Sequence, residues 1–171
     1  ELTRIEQALQ DEVGAALNGE ENEPAQVERS SITLYGNPSY EHGSSMSPEA
    51  DAARDAVQGL LFYAIGCMFG RYSLDEPGLI LADQGATLQD YLAKVPRPTF
   101  VPDADNVLPI VDGDWFEDDI VARFRQFLRA AFGEEHFEEN LRFVEESLGV
   151  KTLREYFVTR AGRSKFYDDH V

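Results

Sequence analysis

Asn37-Pro38-Ser39-Tyr40 is the stretch of this chain whose residue types could do chemistry. An Asn or Asp, a proline carbonyl and an aromatic ring in this order can hold an exocyclic amino group. The amide oxygen and the carbonyl accept its hydrogens while the ring stacks on the flipped base. Methyl transfer to the amino nitrogen of adenine is the reaction such a loop serves, normally with Asn/Asp-Pro-Pro-Tyr/Phe after an apolar strand. Ile32, Leu34 and Tyr35 alternate with polar neighbours, as a short strand over residues 31–35 would. The chemistry also needs a bound methyl donor, hence a nucleotide-type αβ sheet with a glycine-rich turn after its first strand. Residues 1–36 hold no such turn, and "QGATLQ" is too short and lacks the glycine spacing. A Pro-containing turn with Tyr40 packing back accounts for the same four residues.

Other constellations are weaker. Asp112, Asp114, Glu117, Asp118 and Asp119 could offer carboxylates to Mg²⁺ or Ca²⁺, but they lack the 12-residue calcium-loop spacing, and helix capping explains them. Pro102-Asp103 is not followed by the Asp/Glu-x-Lys that a metal-dependent nuclease needs. His42, His136 and His170 form no ligand spacing. There is no Gly-x-Ser-x-Gly elbow and no phosphate-binding Gly-Lys-Ser/Thr loop. Cys67 sits in the apolar run "LLFYAIGCMFG", the setting of a buried structural thiol. One cysteine excludes an internal disulfide and agrees with a reducing cytoplasm.

The net charge is −17, from 15 Lys and Arg against 32 Asp and Glu. A nucleic-acid duplex repels such a chain unless a local basic face meets its phosphates. Only Arg154, Arg160, Arg163 and Lys165 cluster in that way, either as a solvated patch or as DNA contacts. The longest apolar run, Leu60 to Phe69, is about half a membrane span. The N-terminus is acidic and amphipathic, unlike a signal peptide. The chain starts at Glu1 and stops after "FYDDHV", so it is expected to be a piece of a longer polypeptide.

Hydrophobic residues make up 43% of the chain, enough for a packed core that would position these groups. Leu2, Ile5, Leu9, Val13 and Leu17 recur at helical spacing, ending before Gly19 and Pro24. Residues 25–48 read as irregular apart from the strand. Ser47 and Pro48 open a helix over 49–69 that becomes apolar nearly all round, with Gly66 and Gly70 allowing close approach or ending it. "EPGLILADQG" reads as a short strand or extended segment, and Thr87 caps a helix to Lys94. "VPRPTFVPDADNVLP", with four prolines, must be an ordered loop. Asp114 and Glu117 form a capping pair for a helix over 117–131, whose buried stripe is Ile120, Val121, Phe124, Phe127, Leu128 and Ala131. A helix over 134–148 turns Phe137, Leu141, Val144 and Leu148 inward, and Gly149 stops it. Thr152 and Glu155 repeat the capping pattern for "LREYFV". The predicted fold is mainly α: a helical bundle-like module with a Pro-rich irregular segment and at most a few short strands. Residues 1–24 would be a helical linker and residues 25–171 a single mostly helical spacer domain.

The strings "YAIGCMFGRYSLDEPGLILADQG", "LPIVDGDWFEDDIVARFRQFL", "FGEEHFEENLRFVEESLG" and "FYDDHV" together resemble one part of large bacterial adenine-specific DNA methyltransferases. It is the linker or spacer region that follows their catalytic domain, in phage-exclusion (BREX-type) systems and fused restriction–modification enzymes. "ITLYGNPSY" resembles a non-catalytic Asn-Pro-x-Tyr segment of the same region. The likeness covers residues 29–171, and residues 1–28 only as a helical linker. It implies a parent that methylates adenine with S-adenosylmethionine, its catalytic loop and methyl-donor site lying upstream. It therefore carries no catalytic residue, metal or cofactor into this chain.

The expectation is a non-catalytic connector in the cytoplasm, partnered by the parent's catalytic and target-recognition domains and meeting DNA through the parent, with no membrane. The alternatives are a direct DNA-contact or target-recognition module using Arg160, Arg163 and Lys165 with Tyr156 and Tyr167 nearby, or a protein-interaction domain that recruits another defence component or mimics DNA charge.

Overall fold

A computed structural model describes Ala8, residues 37–113 and residues 116–170. The expected helix over 1–17, the strand over 31–35 and the Asp114 cap lie outside the described residues. Seven helices and no strand occur among the described residues: α1 (Pro38–Glu41), α2 (Pro48–Met68), α3 (Leu88–Lys94), α4 (Ile120–Phe132), α5 (Phe137–Ser147), α6 (Leu153–Phe157) and α7 (Lys165–His170). The fold is mainly α, as the hydrophobic periodicity predicts. The chain divides into two compact units, Glu1–Asp55 and Ala56–Val171.

In the first unit, α1 occupies residues that the sequence reads as irregular. Its signal is there in retrospect: Asn37 stands at the N-cap and Pro38 opens the first turn. The start of α2 is closed by Ser45, whose hydroxyl donates to Asp51 Oδ2 at 2.5 Å and accepts the Ser47 amide at 3.1 Å.

In the second unit, one core joins Leu61, Ala64, Cys67 and Met68 of α2 to Phe124, Phe127 and Leu128 of α4, Val144 of α5, and Leu153, Tyr156 and Phe157 of α6. The stripe read from α4 is the buried one, except that Ala131 is only partly buried. Phe100 enters from the Pro-rich segment and meets Phe127 edge-on at 5.7 Å. A smaller cluster of Ile80, Tyr91 and Val95 holds α3. The Thr87–Asp90 capping box forms at its start.

The turn after α2 depends on two glycines. At Gly66 an added Cβ would lie 2.4 Å from the Tyr72 ring, so this ring packs directly on the helix backbone. Tyr72 then stacks on Tyr63, with centroids 5.5 Å apart. Gly70 takes φ +69° and offers its carbonyl to the Leu81 amide at 3.2 Å. The Ile80 amide bonds the Arg71 carbonyl at 2.8 Å. These two bonds do not make a strand, so the extended alternative for "EPGLILADQG" is the one realised.

Polar clamps order what has no regular structure. Asp75 accepts the Thr99 amide at 2.8 Å and also its hydroxyl, and the Asp103 amide donates to the Met68 carbonyl at 2.7 Å. Thr99, chiefly through its hydroxyl, holds the Asp75 carboxyl below the usual range, and the Thr87 amide and hydroxyl do the same for Asp90.

The helix expected from residue 117 begins at Ile120, and its cap is Asp119, whose Oδ1 accepts the Ala122 amide at 2.7 Å. Asp119 has no solvent exposure, and its Oδ2 meets Arg154 Nη2 at 2.9 Å. The other guanidinium arm donates to the Val111 carbonyl at 2.8 Å. The Thr152–Glu155 pattern works differently from a capping box: Thr152 makes no side-chain cap bond, and Glu155 accepts the Lys151 amide at 3.2 Å.

Three outcomes follow from this packing. Gly66→Ala forces the Tyr72 ring off α2 and is expected to cost about 1–3 kcal/mol in urea unfolding. Arg154→Met leaves a buried carboxylate unpaired and is expected to cost about 3 kcal/mol, with Arg154→Lys recovering only part because an ammonium cannot make the forked contact. Asp75 and Asp90 have folded-state pKa values below their unfolded ones. Their stabilisation is therefore present above about pH 4 and is lost as pH falls through the depressed values. The urea midpoint is expected to drop over that acid window in the native protein, and Asp75→Asn is expected to flatten the drop.

Candidate functional site

The stretch that could do chemistry is committed to local structure. Asn37 is 1% exposed. Its Oδ1 accepts the Ser39 amide at 3.2 Å, as an N-cap does. The Pro38 carbonyl accepts the His42 amide at 2.9 Å. Both acceptors that would have to receive a substrate amino group are thus committed to the first turn of α1. Tyr40 does not pack back as expected: it is 49% exposed. A methyl donor would need the edge of a nucleotide-type sheet beside this loop, and no strand occurs among the described residues.

The acidic cluster separates in the same way. Asp119 is buried as a cap while Asp112, Glu117 and Asp118 are exposed, and no metal-binding group of three or more ligands occurs among the described residues. His42 Nε2 lies 3.2 Å from Asp55, and His136 Nε2 lies 3.2 Å from the neighbouring Glu135. Cys67 is buried, and burial pushes its thiol up to about 11, the environment of an inert cysteine. Burial likewise pushes the Tyr63 phenol up to about 12, and its hydroxyl donates to the Ser73 carbonyl at 2.6 Å.

The basic cluster is the part that remains open. Arg154 leaves it, being spent on Asp119 and Val111. Tyr156 leaves it too: it is 1% exposed and donates to Asp169 Oδ2 at 2.8 Å, and burial, with that hydrogen bond, raises its pKa. The same carboxylate oxygen receives Gln58 at 2.8 Å, so Asp169 ties α7 to α6 and α2. Arg160 and Arg163 stand exposed on the turn between α6 and α7, and Lys165 is exposed at the start of α7. Backbone hydrogen bonds hold the turn. The Thr159 amide donates to the Arg163 carbonyl at 2.7 Å, the Gly162 amide to the Thr159 carbonyl at 2.8 Å, and Gly162 takes φ +72°. Three concavities of about 870, 680 and 550 Å³ surround it, all lined in part by Val158. Arg160 lines the first two, Lys151 and Lys165 the first, and Arg163 and Tyr167 the third. Lys151, exposed two residues after the Gly149 helix stop, is the cation that sequence proximity did not bring into the cluster. Phe116, half-exposed beside the second concavity, is the aromatic it missed.

No family profile matches the chain. The adenine-specific methyltransferase BrxX of Escherichia coli O9:H4 (strain HS) is 36% identical in an alignment 156 residues long that covers 82% of this chain and 12% of that protein. The adenine-specific methyltransferase PglX of Lacticaseibacillus casei (strain Zhang) is 35% identical in an alignment 133 residues long that covers 74% of this chain and 10% of that protein. Identity at this level over most of the chain makes it homologous to a part of the BrxX and PglX adenine-specific methyltransferases, about a tenth of their length.

Proposed function

We propose that this chain is a non-catalytic connector of an adenine-specific DNA methyltransferase in a phage-defence or restriction–modification system. In this reading S-adenosylmethionine and the catalytic loop belong to another part of the parent protein. The segment sets the spacing between the catalytic and DNA-reading domains in the cytoplasm. The observation that carries the reading is the state of Asn37, whose amide oxygen and neighbouring carbonyl already cap a helix turn. The rigidity a spacer needs comes from a core shared by α2, α4, α5 and α6 and from the polar clamps on the Pro-rich segment. No described helix is long and apolar enough to cross a membrane.

The test is a substitution that separates capping from catalysis. Ser caps as well as Asn but has no amide to receive an adenine amino group. In a full-length methyltransferase carrying this segment, Asn37→Ser is expected to leave the methylation rate within about twofold. A loss of a hundredfold or more, the scale of removing a positioned hydrogen-bonding group at a reacting centre, overturns the connector reading.

A further inference from the structure

We infer that the turn between α6 and α7 carries a site for single-stranded nucleic acid, independent of the connector role. Four exposed side chains bring positive charge to one stretch of surface: Lys151, Arg160, Arg163 and Lys165. No hydrogen bond or ion pair among the described residues engages the guanidinium of Arg160 or Arg163. Lys165 Nζ makes only a 3.4 Å bond to the Gly149 carbonyl. The chain as a whole is at −17, so cations gathered here stand out against their background.

The flanks add a second kind of group. Tyr167 is 61% exposed at the third concavity and Phe116 is 55% exposed at the second. A strand that laid its phosphates along the cations would have aromatic faces at hand for its bases. Charged grooves edged by stacking aromatics are how single strands are held without sequence preference. A duplex, its bases stacked inside, could use the cations but not the rings. Three carboxylates, Asp112, Glu155 and Asp168, share the linings and moderate the attraction. Affinity is therefore expected in the range of non-specific binding, Kd about 10⁻⁴ to 10⁻⁶ M.

The experiment is fluorescence anisotropy of a labelled oligothymidylate 20-mer with this chain, across a salt series. Binding is expected with a log–log salt slope of about −2, the value for roughly three neutralised phosphates on a single strand. The exposed pair Arg160→Glu and Arg163→Glu together should weaken binding at least tenfold. Tyr167→Ala should weaken it about fivefold without changing the salt slope, the sign of a lost stack. Circular dichroism of the variants should match the parent, since none of the three side chains is buried. The inference is overturned if no binding is seen at about 200 µM protein. It is also overturned if the duplex of the same length binds more tightly, if Tyr167→Ala has no effect, or if poly-glutamate competes the labelled oligonucleotide off the chain more effectively than unlabelled oligothymidylate does. The last result assigns the surface to an acidic protein segment.

Discussion

One buried carboxylate fixes the register of three separate pieces of chain. Asp119 has no contact with water, and an ionised carboxyl there is tolerable only if its oxygens are filled. One oxygen takes the Ala122 amide and so sets the first turn of α4; the other takes Arg154 and so sets where α6 lies. The second arm of Arg154 reaches the Val111 carbonyl, and the Ile120 amide takes the Pro109 carbonyl. The chain leaving the Pro-rich segment is thus pinned at the Pro109 and Val111 carbonyls. A hydrophobic pair of equal volume could match the stability, but it would leave the orientation of α6 to packing alone. The directional forked contact removes that freedom.

The same device recurs, and it gives part of the acidic excess a structural role. Asp75 holds Thr99, Asp90 holds the start of α3, Asp103 receives the amides of Asp105 and Val107, Glu145 receives the Leu153 amide, and Glu155 receives that of Lys151. Each carboxylate satisfies backbone donors where no ladder or helix can. A segment with four prolines lacks the amides for strand pairing, so side-chain acceptors are the available way to order it. Phe100 then turns that order into burial by inserting beside Phe127 and under Arg123, whose guanidinium lies 4.7 Å from its ring.

What the sequence discloses follows from the range of the interactions. The stripes of α4 and α5 and the Thr87–Asp90 box are local, set by residues three and four apart, and they are legible. The start of α4 is not. Asp114, Glu117 and Asp119 all offer a cap, and the choice of Asp119 rests on Arg154, 35 positions away. Thr152 and Glu155 have the spacing of a box, yet Glu155 is drawn to Lys151 and the Leu153 amide is taken by Glu145 from the preceding helix. The basic cluster was legible as a cluster, but its membership was not. Burial removes Arg154 from it, and a helix stop folds Lys151 into it. The Tyr72 ring resting on Gly66 could not be read either, because nothing local distinguishes a glycine that ends a helix from one that receives a side chain.

Asn37-Pro38-Ser39-Tyr40 shows why residue types alone leave chemistry undecided. Asn accepts a hydrogen bond from an amino group for the same reason that it caps a helix: a short side chain presents an amide oxygen to a nearby donor. Pro suits both settings because its fixed φ holds the following carbonyl in place. The two uses compete for the same lone pairs. Here the Ser39 amide stands 3.2 Å from Asn37 Oδ1, and the His42 amide 2.9 Å from the Pro38 carbonyl oxygen. Opening the loop to a substrate would mean breaking both bonds and exposing an Asn that is buried in the folded unit. The turn is therefore held by the same acceptors the reaction would need, whereas the cations of Arg160 and Arg163, which cap nothing and pair with no described group, are left to meet whatever the surface meets.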